Sequence, residues 1–552
     1  MNNRIIRTKQ PIIMKKYLLV LAAMAMGAVA CTSDPEAVEG TVPAGSDNNA
    51  ANSNLTTVQL ASFASSQTRV VLEPQTKTLP VPGSLELFAT IENLSAEQGR
   101  INGFAKEEEN GRYLSATCVY YDNSTKTYYV TYHMQGNNYN TELADETSGY
   151  IETFTLDDNG VPTVGKVYQA ANPSALDFDF NHLYFDDLSN ADNSGTYNGK
   201  DTGVRVIAVG HTSRPTASGK TQTEAMIAKL DLEGETLSYA PVLTGAKILD
   251  ENGKSLGNED AGDVNCVLRK YNYYYLATRK GIAVLNAKDN NMFTPVHNLE
   301  QDENGKYYVD ETSTYFVRTP GSAKHVAHYY PAYGSGFSFL YLTEPTPAGY
   351  DGNTKLPASI INFSMDAGSG TLCGMNSTDS QKNGKAILSS ADFDITAWST
   401  EVNQMQIPDY VYPVDGKNVL YNLDGRLYAC LGKGGLYVRR GAGSETLTFT
   451  DVKDGSGSRP VNGVFVEDLE NYNDGFIYVA NGACLTILDR ETLEKVAEYS
   501  AFDPSDEAHL ASANYVHVYK TGTYTGKCPD RLVTVAYGQA GVKVFKFVPP
   551  SR

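Results

Sequence analysis

The chain has 552 residues and a formal net charge of −19 at pH 7, from 45 lysines and arginines against 64 aspartates and glutamates. So acidic a protein repels phosphate groups, which argues against nucleic acid or an anionic membrane surface as a partner. The length is enough for one large hydrophobic core or for two domains.

The N-terminus has the pattern of an export signal. A basic start at Met14 precedes an apolar run over 17–29 and small residues before Cys31. The run is too short to remain as a membrane-spanning helix. We predict translation from Met14, a signal peptide with a lipobox within 1–31, and lipidation of Cys31. An ordinary secretory signal with an unrelated cysteine is the alternative, because Ala28 stands where lipoboxes usually carry leucine.

A polar segment over 32–54 follows, rich in Ser, Asp, Glu, Gly and Asn. It has too few apolar residues to form a core, so we predict a flexible linker. Asp34 and Glu36 resemble the acidic surface-export signals of Bacteroidota lipoproteins. We therefore expect a cell-envelope, outer-membrane lipoprotein, open to display at the cell surface, that contacts the membrane only through its lipid.

A short apolar motif recurs through the remaining residues, 55–552, which show strand-like runs separated by Asn-Gly turns. The clear copies cover 180–183, 264–267, 461–464 and 513–516, and looser copies cover 116–119, 326–329 and 411–414. A copy is typically followed by further strand-like runs, as 461–464 is followed by 476–482, 484–488 and 495–499. Four antiparallel strands per repeat predict the blades of an all-β propeller.

Seven copies predict seven blades. The copies are separated by between 50 residues, from 412 to 462, and 85 residues, from 327 to 412. Usual blades take about 40–50 residues, so the longer intervals predict loop insertions. The last unit ends after three strands, and we expect an N-terminal segment, 69–72 or 85–91, to supply the fourth strand and close the ring. A series of β-sandwich domains is the alternative fold.

The cysteines predict no disulfide framework. Besides Cys31 there are six, at 118, 266, 373, 430, 484 and 528, dispersed along the chain. Four of them lie in apolar strand-like runs, where a free thiol behaves as a small buried hydrophobic group.

The third runs of the late units, GLYV at 435–438 and LTILD at 485–489, resemble those of LVIVD-repeat propellers. IYVANG at 477–482 resembles extracellular propellers of the YVTN type. The resemblance covers roughly 412–548, and with the lipobox it implies a secreted propeller lipoprotein of the Bacteroidota kind. It implies a fold and a location, and it brings no catalytic residues with it.

The second position of the motif holds the candidate site residues. It is asparagine in the four clear copies, Asn181, Asn265, Asn462 and Asn514. The first strand of a propeller blade lines the central channel, so these amides are expected to converge there in a ring. They are either a ligand-binding site at the channel mouth or structural groups that hydrogen-bond neighbouring blades. His328 and Tyr329, from a looser copy, complete the candidate ligand-binding set.

Metal motifs are weak in this sequence. It contains no H-E-x-x-H stretch and no paired C-x-x-C. His325 and His328 are three residues apart and so on opposite faces of a strand, which predicts no metal site there. Calcium is the more plausible ion, because Asp and Asn side chains supply the oxygen ligands it prefers. One stretch is rich in these residues: Asp177, Asp179, Asp186, Asp187, Asp192 and Asn193. That stretch lacks the full calcium-loop spacing, which favours a solvated loop.

No nucleophile elbow is present, and a catalytic carboxylate pair from different blades cannot be recognised in sequence. The 37 tyrosines against one tryptophan suit protein or sugar recognition, although tyrosine is also a good strand residue.

The first functional hypothesis is a non-enzymatic binding or scaffold module for a protein or glycan ligand. The second is a carbohydrate-active hydrolase or lyase with its site at the channel mouth. The fold alone does not decide between them.

Overall fold

A computed structural model describes twenty segments of the chain. They are residues 55–74, 82–94, 112–136, 149–172, 175–187, 204–215, 221–304, 307–319, 322–329, 338–343, 358–365, 368–374, 405–407, 418–423, 425–440, 443–450, 458–467, 475–501, 511–520 and 531–550. Within these ranges the protein is all-β, with only two single-turn 3-10 helices, at Gln67–Arg69 and Asp289–Asn291. None of the helices in these ranges has the length and apolar character needed to cross a membrane. The predicted signal peptide, lipobox cysteine and linker lie outside the described residues.

The strands form antiparallel meanders, numbered here in chain order. Three strands precede the first: β1 (Thr56–Ala64), β2 (Val70–Leu72) and β3 (Leu85–Ile91). Meander 1 is β4 (Arg112–Asp122), β5 (Thr127–Gly136), β6 (Tyr150–Leu156) and β7 (Pro162–Ala170). Meander 2 is β8 (Asp177–Asp187), β9 (Val204–Pro215), β10 (Thr221–Asp231) and β11 (Thr236–Pro241).

β1 links these two meanders. Its residues 56–59 pair with β11 and its residues 60–64 pair with β7, the outermost strand of each meander. One N-terminal strand thereby covers two edges that would otherwise present unpaired backbone groups.

Meanders 3 and 4 carry insertions. A hairpin of β12 (Leu243–Leu249) and β13 (Ser255–Asp260) comes before meander 3. Meander 3 is β14 (Val264–Lys270), β15 (Tyr273–Thr278), β16 (Gly281–Asn286) and β19 (Phe316–Arg318), and its insertion is the hairpin β17 (Asn298–Gln301) and β18 (Tyr307–Asp310). Meander 4 is β20 (Ala323–Tyr329), β21 (Ser338–Thr343), β22 (Ala358–Met365) and β23 (Leu372–Gly374), with β24 (Met405–Ile407) also paired to β22.

The last three meanders are the most regular. Meander 5 is β25 (Leu420–Leu423), β26 (Arg426–Cys430), β27 (Leu436–Arg440) and β28 (Gly443–Leu447). Meander 6 is β29 (Val461–Val466), β30 (Phe476–Asn481), β31 (Cys484–Asp489) and β32 (Lys495–Ser500). Meander 7 has β33 (Ala511–Lys520), β34 (Arg531–Gly538) and β35 (Val542–Phe547) from the C-terminal end of the chain. The strand runs predicted at 461–464, 476–482, 484–488 and 495–499 are confirmed.

The fourth strand of meander 7 is β3, from the N-terminal end. It pairs with β35 from Leu85 opposite Phe547 to Ile91 opposite Val542, and β2 pairs with the outer side of β3. Of the two predicted segments, 85–91 is therefore the strand that completes the last unit.

The hydrophobic core lies between neighbouring meanders. Apolar clusters join meanders 1 and 2 around Phe180, 2 and 3 around Tyr274, 3 and 4 around Phe363, 5 and 6 around Ile477, 6 and 7 around Phe545, and 7 and 1 around Val542. Burial on both faces explains why every residue of β15, β30 and β34 is buried, since neither face needs polar side chains. The arrangement of successive antiparallel meanders packed face to face is propeller-like.

Candidate functional site in the inner strands

One irregularity recurs in the innermost strand of the meanders. Pairing with the second strand shifts by one residue between Ala116 and Cys118, Phe180 and His182, Val264 and Cys266, Ala323 and His325, and Val461 and Gly463. A shift of this kind is a β-bulge, which leaves one residue outside the ladder and redirects its side chain. The bulged residue is Thr117, Asn181, Asn265, Lys324 or Asn462, so the predicted asparagine position is the bulge itself.

The four predicted asparagines each reach the next meander. Asn181 donates to the carbonyl of Val264 at 3.1 Å, Asn265 to Ala323 at 2.8 Å, Asn462 to Ala513 at 3.0 Å, and Asn514 to Ala116 at 2.9 Å. Thr117 makes the equivalent bond to Phe180 at 3.2 Å. These carbonyls lie next to a bulge, and the amides give each of them a hydrogen-bond donor from the neighbouring meander. This is the geometry of structural groups that hydrogen-bond neighbouring units.

The register corrects two of the looser motif copies. In meander 4 the residue after the bulge is His325, in line with Cys266 and His182, so the copy is 323–326 and the predicted 326–329 is three residues out. In meander 5 the described inner strand is β25, and Leu420 pairs with Ala429 as Val464 pairs with Val479. That register makes Asn418 the equivalent of Asn462, whereas the predicted copy at 411–414 lies outside the described residues.

Residues at or close to the position after the bulge form the candidate site: three directly follow a bulge, Tyr515 follows Asn514, and Tyr120 lies two residues beyond Cys118. We define the inner cluster as Tyr120, His182, Cys266, His325 and Tyr515. His182 Nε2 lies 3.7 Å from Cys266 Sγ and 2.5 Å from the Tyr120 hydroxyl, which in turn accepts a hydrogen bond of 3.1 Å from Tyr515. The rings of His182 and His325 are perpendicular, with centroids 5.8 Å apart. Five side chains from meanders 1, 2, 3, 4 and 7 therefore converge.

The inner cluster is shielded from water. His182 is 6% exposed and Cys266 1%, and both ring nitrogens of His325 are inaccessible to solvent. Burial, reinforced by the neighbouring Tyr515 and the thiols of Cys118 and Cys266, raises the pKa of Tyr120 well above its usual value. Cys118 itself donates to the carbonyl of Asn181 at 3.1 Å. The phenols are thus neutral hydrogen-bonding groups, while the thiol and imidazoles offer soft donor atoms.

His328 and Tyr329 take a different position from the one predicted. His328 lies three residues beyond His325 on β20, opposite Phe339, and the cluster contains His325 in its place. The side chain of Tyr329 lies outside the described residues, although its backbone pairs with Ser338 in the same ladder. The sequence prediction compared His325 only with His328 and so missed the neighbours of His325 on other meanders. The bulge after Ala323 aligns His325 with His182 and Cys266, and that alignment identifies those neighbours.

A second polar group lies at the start of β8. His211 Nε2 is 3.3 Å from Asp179 and its Nδ1 is 3.4 Å from Asp263, which also accepts from Asn181 at 2.9 Å. Burial lowers the pKa of His211, but the two carboxylates outweigh that effect and raise it well above 6.5. One imidazolium therefore bridges the two carboxylates and links meanders 2 and 3.

The aspartate-rich stretch is not the solvated loop expected. Asp177, Asp179, Asp186 and Asp187 belong to strand β8, and Asp186 is fully buried. Its carboxylate receives two hydrogen bonds from Arg269, at 2.7 and 2.8 Å, and one from Tyr274 at 2.8 Å. A buried carboxylate needs such partners. The remaining candidates of the stretch, Asp192 and Asn193, lie outside the described residues.

A third feature is exposed and apolar. Five of the nine large apolar side chains exposed within the described ranges lie on the two inserted hairpins: Ile248, Leu249, Leu256, Tyr308 and Val309. Both hairpins start at the outer edge of meander 3, where Gly245 packs on Thr314 and Glu259 pairs with Arg318. Side chains added at Gly253 and Gly257 would meet no other atom, so this hairpin projects into solvent.

Fold and site together define an all-β, propeller-like protein with a buried polar cluster among its inner strands. No protein-family model matches the chain, and a search of curated proteins finds no significant match. Similar solved structures include the computationally designed protein Ika8 (10% identity, TM-score 0.33, covering 79% of this chain and 97% of that one) and Saccharomyces cerevisiae Sqt1 (10%, 0.34, 80% and 97%). Apo AztD from Citrobacter koseri is also similar, with 11% identity, a TM-score of 0.26, and coverage of 70% of this chain and 86% of that one. Likeness at these TM-scores carries no argument.

Proposed function

We propose that the chain is a seven-bladed β-propeller, closed by its N-terminal strand, that acts as an envelope-anchored binding module for a protein partner. Each meander is taken as one blade. The closure rests on three contacts between the ends of the repeat: β3 pairs with β35, Gly538 pairs with Ala116, and Asn514 donates to the carbonyl of Ala116. A ring of this kind removes free strand edges.

The anchoring part of the proposal rests on the sequence of the first 54 residues. A lipid on Cys31 and a polar linker over 32–54 hold the propeller at the outer membrane and leave its faces free. The resemblance to LVIVD-repeat and YVTN-type propeller lipoproteins supports the same location.

The observation that carries the binding function is the apolar surface of the two inserted hairpins. Leu256 is 67% exposed, Leu249 55% and Val309 52%. Exposed apolar side chains grouped on projecting elements mark interaction surfaces, because a monomer gains nothing from leaving them in water. Aliphatic side chains such as these suit a protein surface, whereas sugar recognition uses aromatic rings and polar groups.

The alternative of a hydrolase or lyase has less support. Asp179 and Asp263 are both engaged by His211, and Asp186 is engaged by Arg269 and Tyr274. Glycoside cleavage needs one carboxyl group as an acid and another as a base or nucleophile, each directed at the substrate. We therefore place binding first and keep envelope-glycan cleavage as an outcome of the test.

Site-specific photocrosslinking on intact cells tests the proposal. A photoreactive residue is placed at Leu256 or Tyr308, and a matched control at Lys495, which is exposed on β32 of meander 6. We expect one protein adduct of defined mass from both hairpin positions, none from position 495, and loss of the adduct from position 308 when Leu256→Asp is added.

Equal adducts at all three positions, or adducts with lipid alone, would overturn the protein-binding proposal. Release of sugars from envelope glycans that depends on Asp179 and Asp263 would instead favour the hydrolase or lyase.

A further inference from the structure

The inner cluster contains a donor set that the proposed partner binding does not use. His182, Cys266 and His325 each offer one ligand atom, and these three atoms all lie within 4.8 Å of one another. The three residues come from three consecutive meanders, each at the position directly after a bulge. The same backbone feature therefore directs a nitrogen, a sulfur and a nitrogen to one point.

The distances fit a metal ion of the first transition row. Zinc–sulfur bonds of about 2.3 Å and zinc–nitrogen bonds of about 2.0 Å, at a tetrahedral angle, place sulfur and nitrogen about 3.5 Å apart. His182 Nε2 and Cys266 Sγ are 3.7 Å apart. All three donor atoms lie within 4.8 Å of one another. Two zinc-bound nitrogens lie about 3.3 Å apart, so binding draws the three side chains closer together.

The donor types limit which ions can bind. One thiolate and two imidazoles suit zinc or copper, whereas calcium and magnesium require oxygen ligands. His182 Nε2 is also the atom hydrogen-bonded to the Tyr120 hydroxyl, at 2.5 Å, so a bound ion takes the place of that hydrogen bond. Three protein ligands leave the fourth position of a tetrahedral ion open, which is the arrangement of catalytic zinc sites.

We propose that His182, Cys266 and His325 form a binding site for a zinc or copper ion within the inner strands. Cys266 binds as a thiolate and gives up its proton to solvent, and both imidazoles bind as neutral rings. The site is independent of the hairpin surface, so hairpin variants keep the metal and metal-site variants keep the protein adduct.

Metal titration of the full chain, together with thermal unfolding, tests the site. Purified protein is stripped with a chelator, dialysed, and titrated separately with Zn²⁺, Cu⁺, Ca²⁺ and Mg²⁺. We expect one equivalent of Zn²⁺ or Cu⁺ to bind and to raise the unfolding temperature, and no shift with Ca²⁺ or Mg²⁺. Replacement by Co²⁺ is expected to give a thiolate-to-cobalt charge-transfer band.

Matched variants distinguish ligands from neighbours. Cys266→Ala and His325→Gln are expected to weaken binding by at least about 100-fold, because loss of even an outer-shell partner costs about 10–100-fold. Cys430→Ala removes another buried free thiol, and His328→Gln changes another histidine of β20, and both are expected to keep wild-type affinity. If Cys266→Ala does not fold, His325→Gln and the cobalt band of the wild-type protein decide the question.

Two results would overturn the proposal. One is the absence of stoichiometric binding and of any metal-dependent unfolding shift in the wild-type protein. The other is binding that survives both Cys266→Ala and His325→Gln, which would make it an adventitious ion.

Discussion

Replacing Gly541 by alanine probes the contact between the two ends of the repeat. Gly541 precedes β35, has a φ of +72°, and lies against the backbone of Ile91 at the end of β3. A Cβ built on it would come well under 3.0 Å from the Ile91 carbonyl oxygen and 3.2 Å from the backbone nitrogen of Asn93. Both neighbours are main-chain atoms, so the strain cannot be relieved by rotating a side chain.

Gly83 supplies a matched control. It has a φ of +82°, and a Cβ there would meet nothing within 4 Å. Gly83→Ala is therefore destabilised only by the left-handed backbone conformation, which costs about 1–2 kcal/mol. Gly541→Ala has the same cost and an additional overpacking cost of about 1–3 kcal/mol. We expect Gly541→Ala to lower the free energy of unfolding by about 2–5 kcal/mol in total.

Urea unfolding followed by circular dichroism measures both variants. The expected result is a midpoint for Gly541→Ala clearly below that of Gly83→Ala, with hydrogen exchange faster in β3. Equal midpoints for the two variants would show that β3 does not pack against Gly541, and the N-terminal closure of meander 7 would then be wrong.

Three further outcomes are expected. Asn462→Ala leaves the buried Ala513 carbonyl without its donor and should cost about 1–3 kcal/mol in urea unfolding, whereas Asn304→Ala, in an exposed turn, should cost little. Burial lowers the pKa of His517 to about 4 in the folded protein, whereas a histidine in the unfolded chain titrates near 6.5. The unfolded chain therefore takes up this proton at a higher pH than the folded protein, and the free energy of unfolding should fall as pH drops from about 6.5 to about 4. The urea midpoint of His517→Phe should lack that loss. Cys31→Ala should move the protein from the membrane to the soluble fraction on cell fractionation, and continued membrane retention would contradict lipidation.

Local patterns were enough to predict the strands of the later meanders. Runs such as 476–482 and 484–488 combine apolar residues with glycine turns, and both become strands at these positions. The closing strand at 85–91 followed from counting, because a unit of three strands leaves one edge open. β1 has no such signal: Thr56–Ala64 is a strand because two outer edges, β7 and β11, are there to pair with it. Pairing between segments about 100 to 180 residues apart is a property of the folded chain.

The predicted site residues occupy the second position of the motif, one residue before the position that supplies most of the inner cluster. A repeated asparagine suggests a functional ring, but in the fold the asparagine occupies a bulge and is used on the carbonyl of the next meander. The four predicted asparagines share that role, Thr117 makes the equivalent bond with a hydroxyl, and Asn418 donates instead to the carbonyl of Cys430 in its own meander.

The next position varies because each unit meets a different environment near the axis. It is Cys118, His182, Cys266, His325, Val419, Gly463 and Tyr515 in chain order. Gly463 is small because a Cβ there would lie 2.8 Å from the carbonyl oxygen of Asn514 in meander 7. In meanders 2, 3 and 4 the same position holds imidazole, sulfur and imidazole. In a repeat protein of this kind, the constant position reports how the units are joined. The position that varies is therefore the one to examine for ligands.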